Sequence, residues 1–356
     1  MENALITFII PAYNAENTLS RTVESILGQT SEMYKIIIIN DGSVDRTDEI
    51  GKDYYQKYPN KIEYICQKNR GLGGARNHGM EMAITPYIVF LDSDDWIKAD
   101  YVKNIALQLE KEKTQKPEMI MTLPEIYNEN SKQIMQWYDY ELFSELFPKD
   151  GVCINPQTNK KIYGMDVNQC RKVLQMEFVR KIQFRFRENI KWEDIEPHFY
   201  LLTHCRSCMG IGSIGFYYRK GNIHQITASR GRDRMDLITV YKDLLPYLYS
   251  ADRQLIYPVM HIIVSFGNEG IKIADMDTRK TLVKALYVFF KKVPKSCDKI
   301  LYQEGRKHYG KSEMRQYHLF LNIIRHKWLL ALFYDYLYRN ASEQLLKKVF
   351  RKLKRK

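Results

Sequence analysis

The first 122 residues alternate between two hydrophobic patterns, and each pattern predicts a different element. Wholly apolar runs at Leu5–Ile10 and Ile36–Ile39 are typical of strands that are buried on both faces of a parallel sheet. Between these runs, apolar residues recur at i, i+4, i+7 and i+8 from Leu19 onward, which is the spacing of one helical face. The alternation predicts an α/β fold with a mostly parallel, doubly wound sheet flanked by helices.

The same alternation continues to residue 122 and then weakens. Further strands are predicted at Ile62–Cys66, Tyr87–Leu91 and Met119–Thr122, and helices at Gly73–Ile84 and Tyr101–Lys113. From about residue 232 the pattern becomes helical. The predicted helices are Leu237–Tyr249, Ile256–Phe266, Thr278–Phe290 and a long stretch from Ser312 onward. We therefore expect an α/β domain over residues 1–228, an α-helical C-terminal domain over 229–340 and a separate tail over 341–356.

Polar clusters follow four of the predicted strands, at the point where each strand ends. Their sequences are Pro11-Ala12-Tyr13-Asn14, Asn40-Asp41-Gly42-Ser43, Asn69-Arg70-Gly71-Leu72-Gly73-Gly74-Ala75-Arg76-Asn77 and Asp92-Ser93-Asp94-Asp95. In open α/β sheets, ligands bind outside the carboxyl ends of the strands. Each cluster alone is a good turn or helix cap, but four of them at one sheet edge indicate a binding site.

The chemistry of this site is suggested by Asp92 and Asp94, which follow a buried strand. Two carboxylates suit Mg²⁺ or Mn²⁺, hard cations that bridge phosphate groups. The glycine loop that begins at Gly71 is not a dinucleotide fingerprint, because Arg76 stands where the third glycine belongs. A Walker-type phosphate loop is absent from the sequence, which disfavours ATPase chemistry.

The order and spacing of these four motifs resembles the family 2 glycosyltransferases of the GT-A fold, over roughly residues 4–95. The resemblance implies a nucleoside-diphosphate sugar donor, commonly a UDP-sugar, together with Mn²⁺ or Mg²⁺ and inversion at the anomeric carbon. It assigns the catalytic domain to residues 1–228. Asp41 is implied to contact uracil, with Pro11 and Tyr13 as the pocket wall and Arg76 near the nucleotide. The full set of implied donor contacts is Pro11, Ala12, Tyr13, Asp41, Asn69, Gly73, Arg76, Asp92, Ser93 and Arg219.

Two later segments extend the resemblance. Trp192-Glu193-Asp194-Ile195-Glu196 is similar to the family's Glu-Asp motif, which implies that Asp194 is the general base and Glu193 its catalytic neighbour. Acidic residues in a helix's first turn also complement the helix dipole, so this segment has a purely structural interpretation as well. The segment Tyr217–Thr227 resembles the part that closes over the diphosphate. It implies a diphosphate contact at Arg219 and a third metal ligand at His224, beside Asp92 and Asp94.

The charge of the chain adds a predicted partner. There are 55 Lys and Arg against 42 Asp and Glu, for a net charge of +13. Seven of the last twelve residues are basic, and the apolar ones share one helical face. Such a helix suits an anionic membrane surface, although a solvated terminus has the same composition. Nucleic-acid-binding motifs are absent from the sequence, so we predict no nucleic-acid partner.

Cysteine usage and hydropathy predict the compartment. Six scattered cysteines do not form a disulfide framework, and the apolar run Leu5–Ile10 is too short for a secretory signal. Cys205 and Cys208 form a close pair, which we interpret as two structural thiols. We expect a cytoplasmic protein that lies on the inner face of the cell membrane. The sequence leaves its oligomeric state open.

Taken with the resemblance, these features predict an inverting glycosyltransferase that builds a capsule, an exopolysaccharide or another cell-surface glycan, with an acceptor that is lipid-linked or free. Two alternatives remain open at this point. One is a transferase that modifies a protein or wall teichoic acid. The other is a non-catalytic, membrane-docked scaffold that binds nucleotide sugars.

Overall fold

The computed structural model describes residues 4–112, 116–213, 215–221, 230–308 and 311–326. The chain divides into two compact units, Met1–Ile223 and His224–Lys356. The assignment of residues 1–228 to a catalytic domain, 229–340 to a helical domain and 341–356 to a tail stays a prediction. The predicted tail lies outside the described residues. Across the described part of the chain, the helices are too short or too polar to cross a membrane.

The first unit is built on two sheets. Its strands are β1 Ile6–Ala12, β2 Tyr34–Asn40, β3 Ile62–Cys66, β4 Tyr87–Phe90, β5 Trp96–Ile97, β6 Met119–Thr122, β7 Glu125–Asn128, β8 Gln133–Gln136, β9 Val152–Ile154, β10 Lys172–Gln175, β11 Cys208–Ile211 and β12 Phe216–Lys220. Its helices are α1 Leu19–Leu27, α2 Thr47–Lys57, α3 Gly71–Met82, α4 Tyr101–Lys111, α5 Tyr140–Leu146, α6 Met176–Lys181 and α7 Ile195–His204, with a 3-10 helix at Lys160–Gly164.

The larger sheet has the strand order β3-β2-β1-β4-β10-β6-β11-β9. Strands β3, β2, β1 and β4 are mutually parallel, which confirms the predicted mostly parallel α/β sheet. Strand β10 lies antiparallel between β4 and β6, and β11 is parallel to β6. The chain segments that follow β1, β2 and β4 therefore leave the sheet at one edge, and the segment that precedes β10 meets them there.

The smaller sheet has the order β5-β12-β7-β8. Strand β5 begins only two residues after Asp94 and pairs antiparallel with β12. The backbone N–H of Arg219 in β12 donates to a carboxylate oxygen of Asp95 at 2.9 Å. The small sheet thus fixes the carboxyl-rich loop that follows β4.

Close packing of α3 against β1 explains a glycine inside that helix. A Cβ on Gly79 would lie 2.2 Å from Cγ2 of Ile9, a side chain that is fully buried in the sheet. Because α3 also carries Arg76, this close approach sets how near Arg76 lies to the sheet edge.

The second unit is helical, as predicted. It contains a 3-10 helix at Arg232–Met235 and the helices α8 Asp236–Leu248, α9 Arg253–Ile273, α10 Met276–Phe290, α11 Lys295–His308 and α12 Lys311–His326. Helix α9 runs seven residues beyond its predicted end at Phe266. Gly267 lowers helix propensity, yet a Cβ there would lie 3.1 Å from the ring of Phe320, so the glycine allows close helix packing. The predicted long helix from Ser312 is described only as far as His326.

We expect Gly79→Ala to lower the free energy of unfolding by about 1 kcal/mol or more. Overpacking typically costs about 1–3 kcal/mol, and a clash at 2.2 Å with a buried side chain belongs to the upper part of that range, whereas the gain in helix propensity is at most about 1 kcal/mol. Denaturant unfolding of the purified chain measures the difference. Gly164→Ala is the matched control, because its Cβ would lie at an ordinary 3.6 Å from Leu142. Equal stability of the two variants would contradict the packing argument.

Candidate functional site

A fully buried arginine lies at the centre of the sheet edge. The guanidinium of Arg76 donates to Asp92 at 2.9 Å and to Glu193 at 3.2 Å, and it forms a third ion pair with Asp194. The three carboxylates raise the pKa of Arg76 against the opposing effect of burial. A desolvated charge of this kind requires paired partners, so the arginine holds the loop after β4 and the start of α7 together.

Local backbone conformation brings Glu193 and Asp194 to this position. Trp192, directly before them, has φ +66°, a left-handed conformation that is uncommon for a bulky residue. Helix α7 begins at the next residue after Asp194, but the Asp194 side chain makes no capping hydrogen bond. Its carboxylate accepts instead from Arg76 and from the backbone N–H of Gln169 at 3.3 Å. The Asp194 side chain is thus held by Arg76 and Gln169 and not by the first turn of α7.

The two acidic neighbours have different environments. Glu193 is buried, and burial together with the charge of Asp194 raises the pKa of Glu193 to about 8, against the opposing effect of Arg76. The side chain of Asp194 is 22% exposed. Near neutral pH, Glu193 thus holds its proton, while Asp194 faces solvent beside an arginine. This division suits Asp194 to accept a proton from a bound hydroxyl group.

The carboxylates after β4 are crowded. Burial and the charge of Asp92 raise the pKa of Asp94 to about 6. Asp95 is almost completely buried, and its Oδ2 atom has no hydrogen-bond partner among the described residues. Crowded, desolvated carboxylates such as Asp92 and Asp94 fit a hard divalent cation, which would offset their repulsion. Asp92 and Asp94 would hold it. The third predicted ligand, His224, lies outside the described residues.

The residues that are implied to contact the nucleotide lie at the carboxyl ends of β1 and β2. The backbone N–H of Asp41 donates to the carbonyl of Ala12 at 2.8 Å. Asp41 is buried, and its carboxylate accepts from the backbone of Arg70 and from Gln67 at 2.8 and 2.7 Å. Tyr13 is 53% exposed, whereas Pro11 and Ala12 are buried within β1.

The remaining predicted donor contacts have other visible roles. A Cβ on Gly73 would lie 2.2 Å from the carbonyl oxygen of Arg187, so this glycine permits close backbone packing. The Asn69 side chain accepts from the backbone N–H of Gly71 at 3.1 Å and so fixes the start of α3. Ser93 lies in the loop after β4. The side chain of Arg219 forms an ion pair with Glu129 at 2.8 Å.

Sequence reasoning missed the segment that leads into β10. Gln169 is fully buried, and its side-chain amide donates to the carbonyl of Asp194 at 2.9 Å. Lys172 is also buried and donates to the carbonyls of Val167 and Asn168, and burial lowers the pKa of Lys172 to about 7. The only available signal was the basic pair Arg171 and Lys172 directly before an apolar run. This pattern is equally typical of an exposed loop.

The raised pKa of Glu193 predicts a pH-dependent stability. The unfolded carboxyl ionises from about pH 4.5, while the folded one holds its proton to about 8. Within that window the folded state binds more protons, so the free energy of unfolding falls as pH rises. We expect Glu193→Gln to flatten this fall. Denaturant unfolding between about pH 5 and about pH 9 measures it, with the exposed Glu110→Gln as the control. Parallel curves for wild type and Glu193→Gln would contradict the assignment.

Several known proteins resemble this chain in sequence. Residues 7–151 match the family Glycosyl transferase family 2. Glycosyltransferase GlyA of Streptococcus pneumoniae serotype 4 is 44% identical over 100 residues, which are 28% of this chain and 14% of GlyA. The minor teichoic acid biosynthesis protein GgaB of Bacillus subtilis strain 168 is 42% identical over 99 residues, or 27% of this chain and 11% of GgaB. The matched region is thus a small part of each relative's length.

A solved structure resembles the chain over more of its length. S. aureus TarS 1–349, crystallised in complex with UDP-GlcNAc, superposes with a TM-score of 0.68 at 17% identity. The superposition covers 95% of this chain and 92% of that one. At this identity the likeness establishes the fold, which is the GT-A type with a helical region after it. Residues 7–151 of the first unit thus resemble glycosyl transferase family 2 in sequence, within a chain whose fold resembles that of TarS.

Proposed function

We propose that this protein transfers a sugar from a nucleoside-diphosphate donor, a UDP-sugar, to a hydroxyl group of a glycan acceptor, with inversion at the anomeric carbon. The observation that carries the proposal is the arrangement around Arg76. One buried guanidinium joins the donor-side carboxylate Asp92 to the partly exposed Asp194, and Glu193 completes the cluster. A proton acceptor and a cation site are thereby held at a fixed separation.

The reaction proposed is a single in-line displacement. Asp194 accepts the proton of the acceptor hydroxyl as its oxygen forms a bond to the anomeric carbon, and the bond from that carbon to the diphosphate breaks. Glu193 keeps its proton, so Asp194 is the carboxylate that receives the new one. The hydrogen bond from Gln169 fixes the direction of the Asp194 carboxylate. Mn²⁺ or Mg²⁺, held by Asp92 and Asp94, would supply positive charge for the departing diphosphate.

Donor recognition is proposed for the ends of β1 and β2. Asp41 holds the backbone of Arg70 in place, and exposed Tyr13 supplies an aromatic face beside it for the uracil ring. The UDP-GlcNAc complex of TarS supports the choice of a UDP-sugar, because that protein has the same fold. The donor sugar is proposed to be a hexose or an N-acetylhexosamine.

The acceptor is proposed to be a growing cell-surface polysaccharide. The name of GgaB also supports the alternative of a teichoic acid acceptor. The scaffold alternative is disfavoured, because Asp92, Asp94 and Asp194 are all present and Arg76 pairs with two of them. We propose that the enzyme acts in the cytoplasm at the inner face of the membrane, with the basic residues of 341–356 binding anionic lipid.

We expect Asp194→Asn to keep donor binding but to lose transfer. Removing a general base lowers the rate by about 10²–10⁴ fold, while asparagine preserves the size of the side chain. A radiolabelled-sugar assay with the acceptor measures transfer, and calorimetry measures binding of UDP. Glu177→Gln is the control, because this exposed glutamate lies in the first turn of α6, away from the site. Turnover of Asp194→Asn within a few-fold of wild type would show that Asp194 is not the base.

We expect UDP binding to require a divalent cation. Calorimetry in Mn²⁺ and in a chelator should differ by at least about tenfold in Kd, which is about 1.4 kcal/mol. Asp94→Asn should remove most of this difference, since it removes one charged ligand of the cation. Asp53→Asn, on an exposed part of α2, should retain it. Equal affinity of the wild type in both buffers would refute the metal's role in donor binding.

A further inference from the structure

Three potential metal ligands meet beneath the carboxyl-rich loop. One oxygen of Asp92, one oxygen of Asp95 and Sγ of Cys170 all lie within 4.8 Å of one another. Asp92 and Asp95 follow β4, and Cys170 lies two residues before β10, the antiparallel neighbour of β4. The insertion of β10 next to β4 is therefore what brings a thiol to the two carboxylates. Asp94, the predicted metal ligand, is not a member of this cluster.

Asp95 gives an independent indication that a ligand belongs here. The residue is 1% exposed, and its Oδ2 atom has no hydrogen-bond partner among the described residues. Its other oxygen accepts from the backbone N–H of Arg219. A buried carboxylate oxygen without a partner is costly, and most such atoms in native proteins are satisfied. A bound cation would satisfy it.

The sulfur atom decides which cation this is. Mg²⁺ and Mn²⁺ prefer oxygen ligands, whereas a thiolate selects softer ions such as Zn²⁺. Zn–S bonds are about 2.3 Å and Zn–O bonds about 2.0–2.2 Å, so two ligand atoms of one ion lie at most ~4.5 Å apart. The three atoms here lie within 4.8 Å of one another, so a small adjustment of their side chains brings them to one ion. Three protein ligands with one open position is also the usual arrangement of a reactive zinc site.

We propose that Asp92, Asp95 and Cys170 bind a thiophilic divalent cation, Zn²⁺ or its analogue Cd²⁺. As the metal–sulfur bond forms, the thiol proton leaves to solvent. Because Asp92 belongs to both ligand sets, this cation and the proposed donor cation at Asp92 and Asp94 compete. Zinc is then an inhibitor that acts through a residue of the donor site. This last consequence rests on the proposed function, whereas binding of the cation does not.

The direct test is the absorbance of a sulfur–cadmium bond. The full chain is prepared with Cys66→Ser and Cys153→Ser, which remove its two exposed thiols, and is freed of metal with a chelator. Titration with Cd²⁺ should then produce ultraviolet charge-transfer absorbance that saturates at one equivalent. Adding Cys170→Ser should abolish it. Adding Cys208→Ser should leave it unchanged, because this buried thiol lies in β11, beyond the proposed site.

The two cysteine variants separate the proposal from its rival, which is cadmium binding by Cys205 and Cys208. Loss of the absorbance in Cys208→Ser, or its persistence in Cys170→Ser, would assign the metal to that pair and overturn the proposal. Absence of any absorbance in the parent chain would overturn it as well. Neither readout uses a sugar donor or acceptor, so failure here is distinguishable from failure of the proposed function.

A second variant covers the case in which Cys170→Ser does not fold. Asp95→Asn leaves the Cys170 thiol in place, and the asparagine keeps one side-chain oxygen that can accept from the backbone N–H of Arg219. The substitution should weaken cadmium binding by at least about tenfold, because losing even an outer-shell partner of a metal costs about 10–100-fold and Asp95 is a direct ligand. Circular dichroism checks that the variant is folded. Unchanged cadmium affinity in folded Asp95→Asn would remove Asp95 from the site and refute the three-ligand proposal.

Discussion

The arrangement of the first unit depends on one desolvated charge. Arg76 has no solvent exposure, so its positively charged guanidinium lies in a region from which water is excluded. Such burial of a charge is unfavourable unless opposite charges surround it, and Asp92 and Asp194 supply them from two separate chain segments, with Glu193 as a third hydrogen-bond partner. The loop after β4 and the start of α7 are more than ninety residues apart in sequence. Their common dependence on one cation fixes them relative to each other.

The second constraint is the reversed strand β10. A purely parallel sheet would place another βα loop beside β4. The antiparallel strand instead brings the segment before it to the same edge, with Gln169 against Asp194 and Cys170 near Asp92 and Asp95. The site thus combines residues that follow parallel strands with residues that precede an antiparallel strand. This explains why Gln169, which belongs to no recognisable motif, donates hydrogen bonds to Asp194.

Much of this arrangement could be predicted from the sequence. Apolar runs such as Ile36–Ile39 identified the central strands, because a strand buried on both faces has no polar alternation. The position of Asp92 and Asp94 followed from the end of β4. The segment before β10 could not be predicted, since Arg171 and Lys172 are buried only through tertiary contacts and basic residues usually indicate exposure. The burial of Arg76 was hidden for the same reason, because a sequence does not reveal three carboxylates that converge on one side chain.

The short link between the two sheets has a mechanical consequence. β4 belongs to the large sheet and ends at Phe90, whereas β5 belongs to the small sheet and begins at Trp96. All three aspartates of the loop lie on the five residues between them, and Arg219 of the small sheet holds the last one. A small sliding of one sheet past the other therefore changes the spacing of these carboxylates directly. The distance between the anionic groups is set by the alignment of two sheets, so a substitution in the remote strand β7 or β8 can alter cation affinity without touching the cation.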